Sequence, residues 1–226
     1  MTLPYSSHAR QWMLDGQLAT NNITEGRLLD AIAHTPREWF VPEAFATTAY
    51  VDEEIPLGEG RYMAEPLALA RMLQAAAIDV GETVLYLAGN TGYGVALASH
   101  LAHQVHMVEE APWILKARQA HEKCKLQDVT YIEAADELGA PQESIADVLI
   151  IEGAVQTIPP ALHAQLREGG RAVYVQSVQL RPGSVSGLGH LTLAHKTVSG
   201  LDTHVLAEVG MPRLKGFMLP PRFEFA

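Results

Sequence analysis

Cysteine is nearly absent from this chain, and its single copy, Cys124, excludes an internal disulfide and any cysteine-based zinc site. Positive charge is scarce too: 16 Lys and Arg against 26 Asp and Glu leave a formal net charge of -10 at pH 7. No basic run interrupts that balance, which argues against a nucleic-acid partner, since phosphate binding needs clustered Lys and Arg. The longest apolar runs fall far short of the roughly 20 residues that cross a bilayer, so no membrane partner is expected. Met1 to Arg10 has no basic stretch followed by an apolar one, so no signal peptide is read there and the cytoplasm is the expected location. Internal repeats, low-complexity segments, a G-x-S-x-G nucleophile motif and a G-x-x-x-x-G-K-[ST] phosphate loop are all missing. His100 and His103 stand three apart with no third ligand near them, and the other histidines are scattered, so no metal is expected.

What is present is enough for one α/β domain with an extension: 226 residues, 48% of them hydrophobic and 19% charged. Residues 1–78 read as a helical N-terminal extension. Tyr5 to Gln17 carries Ala9, Trp12 and Met13 on one helical face, and Asn22-Ile23-Thr24 offers a cap before a helix from Glu25 to His34. Pro36 ends that helix, Trp39-Phe40-Val41-Pro42 makes an apolar turn, and a long loop with Asp52, Glu53 and Glu54 leads to a helix from Leu67 to Ala77. Trp12, Trp39 and Trp113 read as packing anchors, and Cys124 as a helix cysteine whose pKa the adjacent Lys123 and Lys125 act to lower.

Residues 79–226 read as a Rossmann-like core within the same single domain. Val84–Leu87, Gln104–Val108, Val129–Ile132, Val148–Ile151 and Arg171–Val175 are short β-rich segments. Helices at Tyr93–Ala102, Pro112–Cys124 and Pro160–Leu166 lie between most of them, as the crossovers of a parallel sheet require. Leu191–Thr197 and His204–Glu208 have no helix between them and suit an antiparallel edge.

The most informative stretch is Val84-Leu85-Tyr86-Leu87-Ala88-Gly89-Asn90-Thr91-Gly92-Tyr93-Gly94. It reads as a buried strand, a small-residue turn and a helix, which together present free backbone N–H groups to a nucleoside cofactor. Glu109 closes the next strand, roughly 20 residues on, where an acid holds ribose hydroxyls.

In order along the chain, Pro36-Arg37-Glu38-Trp39-Phe40-Val41-Pro42, Ala49-Tyr50-Val51-Asp52, Ile55-Pro56-Leu57-Gly58, Gly60 to Pro66 and Val84 to Tyr93 form one combination. Val108-Glu109, Ile158-Pro159-Pro160-Ala161-Leu162 and Gln165 to Arg171 continue it. Together they resemble the protein-L-isoaspartate O-methyltransferase family, whose members use S-adenosylmethionine on a class I methyltransferase fold. The ending, with Gly216-Phe217, Pro220-Pro221 and Phe223-Glu224-Phe225, is similar to a bacterial side branch of that family. The resemblance implies a mostly parallel sheet with helices on both faces.

It also implies that Tyr86, Ala88, Gly89, Asn90, Thr91, Gly92, Tyr93 and Glu109 hold S-adenosylmethionine, and that Tyr62 and Glu65 face the acceptor. Several positions depart from the family's pattern. Ala64 stands for a serine tied to catalysis, Tyr62 for a threonine and Glu65 for a glutamine; Tyr86 stands for an acid near the methionine ammonium. Ala88 and Asn90 replace glycines, and Ala135 replaces an aspartate that contacts adenine. Asp136, one residue later, and Glu152, after the fourth strand, are the acids positioned to take over. Arg61 is read as a fork able to grip a substrate carboxylate.

The function these features imply is an S-adenosylmethionine-dependent O-methyltransferase acting on a protein, peptide or small-molecule carboxylate or another oxygen, rather than an isoaspartyl repair enzyme. The alternative is a non-catalytic methyltransferase-fold protein, a binding or assembly module with a decayed cofactor site. An NAD-dependent oxidoreductase ranks third, because the turn lacks G-x-G-x-x-G.

Overall fold

A computed structural model describes residues 4–141, 145–177 and 186–217. The first helix, α1 (Pro4–Met13), continues as a π turn over Leu14–Leu18 and a 3-10 turn over Ala19–Asn21. It buries Met13, Leu14 and Leu18 and leaves Trp12 66% exposed, so Trp12 is not the packing anchor its residue type suggests. Helix α2 (Gly26–His34) begins on Glu25, whose own carboxylate accepts the Leu28 N–H, and not on the expected Asn22–Thr24 cap.

The acidic loop that follows contains a hairpin that sequence reading leaves as loop. Strands β1 (Ile55–Gly58) and β2 (Arg61–Met63) pair antiparallel across a turn in which Gly58, Glu59 and Gly60 all have positive φ, at 95°, 55° and 74°. Four- and three-residue strands are too short to show a period-2 pattern, which is why the hairpin is not legible in the sequence. Helix α3 (Pro66–Ala76) starts with proline in its first turn, where the missing N–H costs nothing.

The central sheet contains β3 (Thr83–Leu87), β4 (Gln104–Glu109), β5 (Val129–Glu133), β6 (Ala146–Val155), β7 (Leu166–Ser177), β8 (Ser186–Thr197) and β9 (Gly200–Pro212). Its order is β5-β4-β3-β6-β7-β8-β9: β3 to β7 run parallel, and β8 and β9 add an antiparallel edge, longer than the sequence suggests. Crossover helices α4 (Tyr93–Ser99), α5 (Ala111–Cys124) and α6 (Pro160–Gln165) link the parallel strands.

Every residue of β3 is buried, so it reads as a continuous apolar run instead of an alternation. Val84 and Tyr86 face one core, shared with the N-terminal helices through Leu69, Met72 and Phe40. Leu85 and Leu87 face a second core on the other side of the sheet, with Leu149, Ile151 and Leu162. Trp113 on α5 is fully buried, as expected of an anchor. Burial pushes the Cys124 thiol up to about 11 and outweighs the neighbouring Lys123, so this cysteine is not activated. Among the described residues no helix is long and apolar enough to cross a membrane. The Pro220–Phe225 ending lies outside the described residues.

Candidate cofactor and acceptor site

Strand β3 is the point from which the sheet grows in both directions, with β4 on one side and β6 on the other. In open α/β sheets the crevice beyond the carboxyl end of such a strand is where ligands bind. The turn that leaves β3 there holds three left-handed residues: Ala88 (φ 58°), Asn90 (φ 51°) and Gly92 (φ 88°). Only the last is glycine. A left-handed alanine costs on the order of 1–2 kcal/mol, so this turn is over-determined by its surroundings.

Those surroundings are two carboxylates and a histidine. Asn90 N–H donates to Glu109 Oε2 at 3.0 Å, and Ala88 N–H donates to Asp136 Oδ1 at 3.2 Å. The Asn90 amide donates to Ala88 O at 3.0 Å, and Gly92 N–H donates to Gly89 O at 2.7 Å. His121 on α5 lies 2.8 Å from Gly92 O through Nε2 and 2.7 Å from the Tyr131 hydroxyl through Nδ1. Burial lowers the His121 pKa, so the ring is neutral, with Nε2–H donating and Nδ1 accepting. A Cβ at Gly92 would fall 2.4 Å from that Nε2, so glycine is required here for space as well as for φ.

At the β3–β6 end of the cleft, the fully buried Tyr86 hydroxyl donates to Glu152 Oε2 at 2.6 Å. A Cβ on Gly94 would meet that hydroxyl at 1.9 Å and Glu152 Oε2 at 2.4 Å, so the pair sits directly under the start of α4. Burial raises Glu152 to about 7, against the lowering influence of Tyr86 and of the Arg37 guanidinium.

At the β4–β5 end, Glu109 is wholly buried and Asp136 nearly so. Between them lies Arg61, with Nη2 at 3.0 Å from Glu109 Oε1 and Nη1 at 3.4 Å from Asp136 Oδ2. Glu110 stands 3.4 Å away on the outer side, and the guanidinium lies 5.5 Å from the Trp113 ring centroid. Burial, followed by the Glu109 charge, raises Asp136 to about 7, partly offset by Arg61. Glu109 is likewise raised by burial, against Arg61 and two backbone N–H groups. Arg61 therefore does not wait for a substrate carboxylate, as its sequence position suggests; it is engaged by the protein's own acids.

On the acceptor side, Tyr62 touches the turn through its backbone, its carbonyl lying 3.4 Å from the Asn90 amide. Ala64 is buried, and its carbonyl accepts the Arg37 guanidinium at 2.5 Å. Glu65 stands at the N-cap of α3, but Asp52 makes the capping contact, taking the Leu67 N–H at 3.1 Å. Burial and the Asp52 charge raise Glu65; burial and the Glu65 charge raise Glu54 to about 7. Every residue from Tyr86 to Tyr93 expected at the cofactor is thus gathered with Glu109, Asp136 and Glu152, whereas Glu65 joins an acidic group beside them. Sequence reasoning missed Arg37, which is fully buried with its Nη1 unpartnered, and His121, an ordinary helix residue by pattern.

A model of the family Protein-L-isoaspartate(D-aspartate) O-methyltransferase matches residues 9–180, well over half of the chain. The chain belongs to this family. A protein-L-isoaspartate O-methyltransferase 2 from Anaeromyxobacter sp. (strain Fw109-5) is 36% identical over 167 residues, covering 73% of this chain and 68% of the relative. A protein-L-isoaspartate O-methyltransferase from Koribacter versatilis (strain Ellin345) is 36% identical over 165 residues, with 73% and 74% covered. Among solved structures, a protein-L-isoaspartate O-methyltransferase superposes with a TM-score of 0.76 at 22% identity. It covers 92% of this chain, which spans 66% of that one. A Plasmodium falciparum homologue solved with S-adenosyl-L-homocysteine gives 0.74 at 15% identity, covering 91% and 98%. These two likenesses carry the fold: a mostly parallel, Rossmann-like sheet flanked by helices.

Proposed function

We propose that this family member is an S-adenosylmethionine-dependent O-methyltransferase, with an acceptor other than an isoaspartyl residue. The observation that carries the reading is the turn. Ala88 and Asn90 keep left-handed backbone without glycine, and their N–H groups are held by Glu109 and Asp136. A turn kept in costly geometry at the ligand end of the sheet supports a site still in use.

The residues suit the cofactor on a second count. Asn90 Oδ1 and Thr91 Oγ1 are buried at the turn with no hydrogen-bond partner, and buried polar groups are ordinarily paired. Asn90 Oδ1 and the Glu152 carboxylate would take the methionine ammonium, and Glu109 the ribose hydroxyls. Tyr86, Ala88, Gly89, Gly92, Tyr93 and Asp136 would complete the cleft. When bound, S-adenosylmethionine supplies a methyl group on a sulfonium. The chain's part is positioning: the β1–β2 hairpin lies across the turn and fixes where an acceptor oxygen can approach. A carboxylate acceptor is already ionised near pH 7 and needs no general base.

The acceptor itself is argued from charge. Glu65, standing where the resemblance gives a neutral glutamine, adds its charge to that of Asp52 and Glu54, and an isoaspartyl carboxylate brought against them is repelled. The test is transfer of isotope-labelled methyl from S-adenosylmethionine to a panel of an isoaspartyl peptide, other peptides and small carboxylates. The expected result is transfer to at least one oxygen acceptor, with the isoaspartyl peptide poor and improved by Glu65→Gln with Ala64→Ser. Fast methylation of the isoaspartyl peptide by the unaltered protein would refute the acceptor assignment. The alternative of a non-catalytic binding module is favoured by one observation, the guanidinium lying between Glu109 and Asp136.

A further inference from the structure

The Arg61 guanidinium occupies the stretch of cleft that the proposed cofactor needs. Glu109 ends β4 and Asp136 follows β5, so both acids stand at the carboxyl edge of the sheet, and Arg61 reaches them from a hairpin 48 and 75 residues away in sequence. Ribose hydroxyls are neutral, and hydrogen bonds between ionised partners are about twice as strong as neutral ones. A nucleoside therefore cannot displace the guanidinium by better bonding to Glu109 alone. Its departure also leaves two buried carboxylates facing each other, a costly arrangement.

The hairpin strands themselves are anchored, with Ile55, Leu57 and Met63 buried in the main core, whereas Glu59 and Gly60 at the tip are exposed and the Glu59–Lys116 contact is a surface pair at 3.7 Å. The part able to leave the cleft is the Arg61 side chain, which is 21% exposed. Beside the guanidinium lies a cavity of about 330 Å³ whose walls carry both signs of charge, Asp136 and Glu137 with Arg213 and Lys215. The exposed Glu110, already 3.4 Å from the guanidinium, offers the displaced cation a solvated partner.

We propose that the Arg61 side chain is a strap across the nucleoside end of the cleft, and that cofactor binding requires this guanidinium to leave Glu109 and Asp136 for the solvated side where Glu110 stands. The assignment rests on the cofactor reading above, and its test separates the two. Calorimetric titration of S-adenosylhomocysteine into the full chain is compared with the same titration of Arg61→Gln, which removes the charge and keeps a polar side chain. The strap predicts at least tenfold tighter binding by the variant. Equal or weaker binding by Arg61→Gln overturns the strap and leaves the cofactor reading standing. No binding by either protein up to millimolar ligand overturns both.

Amide hydrogen exchange on the unaltered protein provides a readout that does not depend on the variant's folding. With ligand saturating, the strap predicts faster exchange at the hairpin tip, residues 58–61, as Arg61 lets go of Glu109 and Asp136. Slower exchange there, with the ligand bound, contradicts it.

Discussion

The two ends of the cleft keep buried carboxylates by opposite means. At the β3–β6 end a neutral phenol, Tyr86, faces Glu152, and the carboxyl rises to about 7 because nothing nearby fully offsets its burial. At the β4–β5 end a guanidinium, Arg61, faces Glu109 and Asp136, with two backbone amides of the turn completing the set. At the first end the acid is bonded to a neutral hydroxyl, with the Arg37 guanidinium acting on it from further off; at the second the bonded partner is itself a cation. In the proposed reading, a cationic ligand head meets a carboxyl group at the first end, and its neutral sugar meets a guanidinium already in place at the second. The difference shows how a cleft can keep its acids while changing what must happen before a ligand enters.

The largest effect that would break this comparison comes from Glu109→Ala. It leaves Arg61, the Asn90 N–H and the Glu110 N–H without their shared acceptor. Removing one partner of a buried, hydrogen-bonded ion pair costs about 3–5 kcal/mol, here toward the lower figure because Arg61 is partly exposed. Urea unfolding is expected to show it as a lower midpoint, and a change of a few tenths of a kcal/mol would mean that the turn does not lean on this acid.

Glu152→Gln sharpens the other side. The folded-state pKa of Glu152 is raised to about 7 from an ordinary 4.5, so the folded protein holds this proton where the unfolded chain has released it. Its contribution to stability is present below the unfolded value and lost as pH rises through the folded one. Glutamine carries no such loss. The variant should gain stability relative to the unaltered protein between about pH 5 and about pH 8, by at most roughly 3 kcal/mol for a shift of this size. A difference that stays flat across that range would show that Glu152 is ionised throughout.

The smallest effect belongs to the turn. Ala88→Gly relieves a left-handed alanine and is expected to stabilise by up to about 1 kcal/mol, measured as a raised melting temperature. Asn90→Gly should gain less, because asparagine tolerates this conformation and its amide's hydrogen bond to Ala88 O is lost. The reverse order would mean that the strain is stored at Asn90.

Much of this architecture is legible in the sequence. The alternation of apolar strand and amphipathic helix after Thr83 gives a parallel sheet, and two unlinked strands at the end give its antiparallel edge. The turn and the acid that ends β4 can be read by spacing, whereas Glu152, read as following its strand, lies inside β6 because that strand runs on to Val155. Asp136, argued for only as a neighbour of Ala135, does reach the turn by accepting the Ala88 N–H. What stays hidden depends on distance in three dimensions. Arg61 looks free for a substrate until the hairpin carries it to Glu109. His121 is an unremarkable helix position until α5 packs it under Gly92. Trp12 shows the opposite failure: its size suggests a core and the helix turns it to solvent.

One titration tests the central claim, that this altered turn still forms a cofactor site. S-adenosylhomocysteine is titrated into the unaltered protein and into Gly92→Arg, whose side chain has no room beside His121. The account predicts micromolar binding that the variant loses. Binding by neither protein up to millimolar ligand, or equal binding by both, would contradict it.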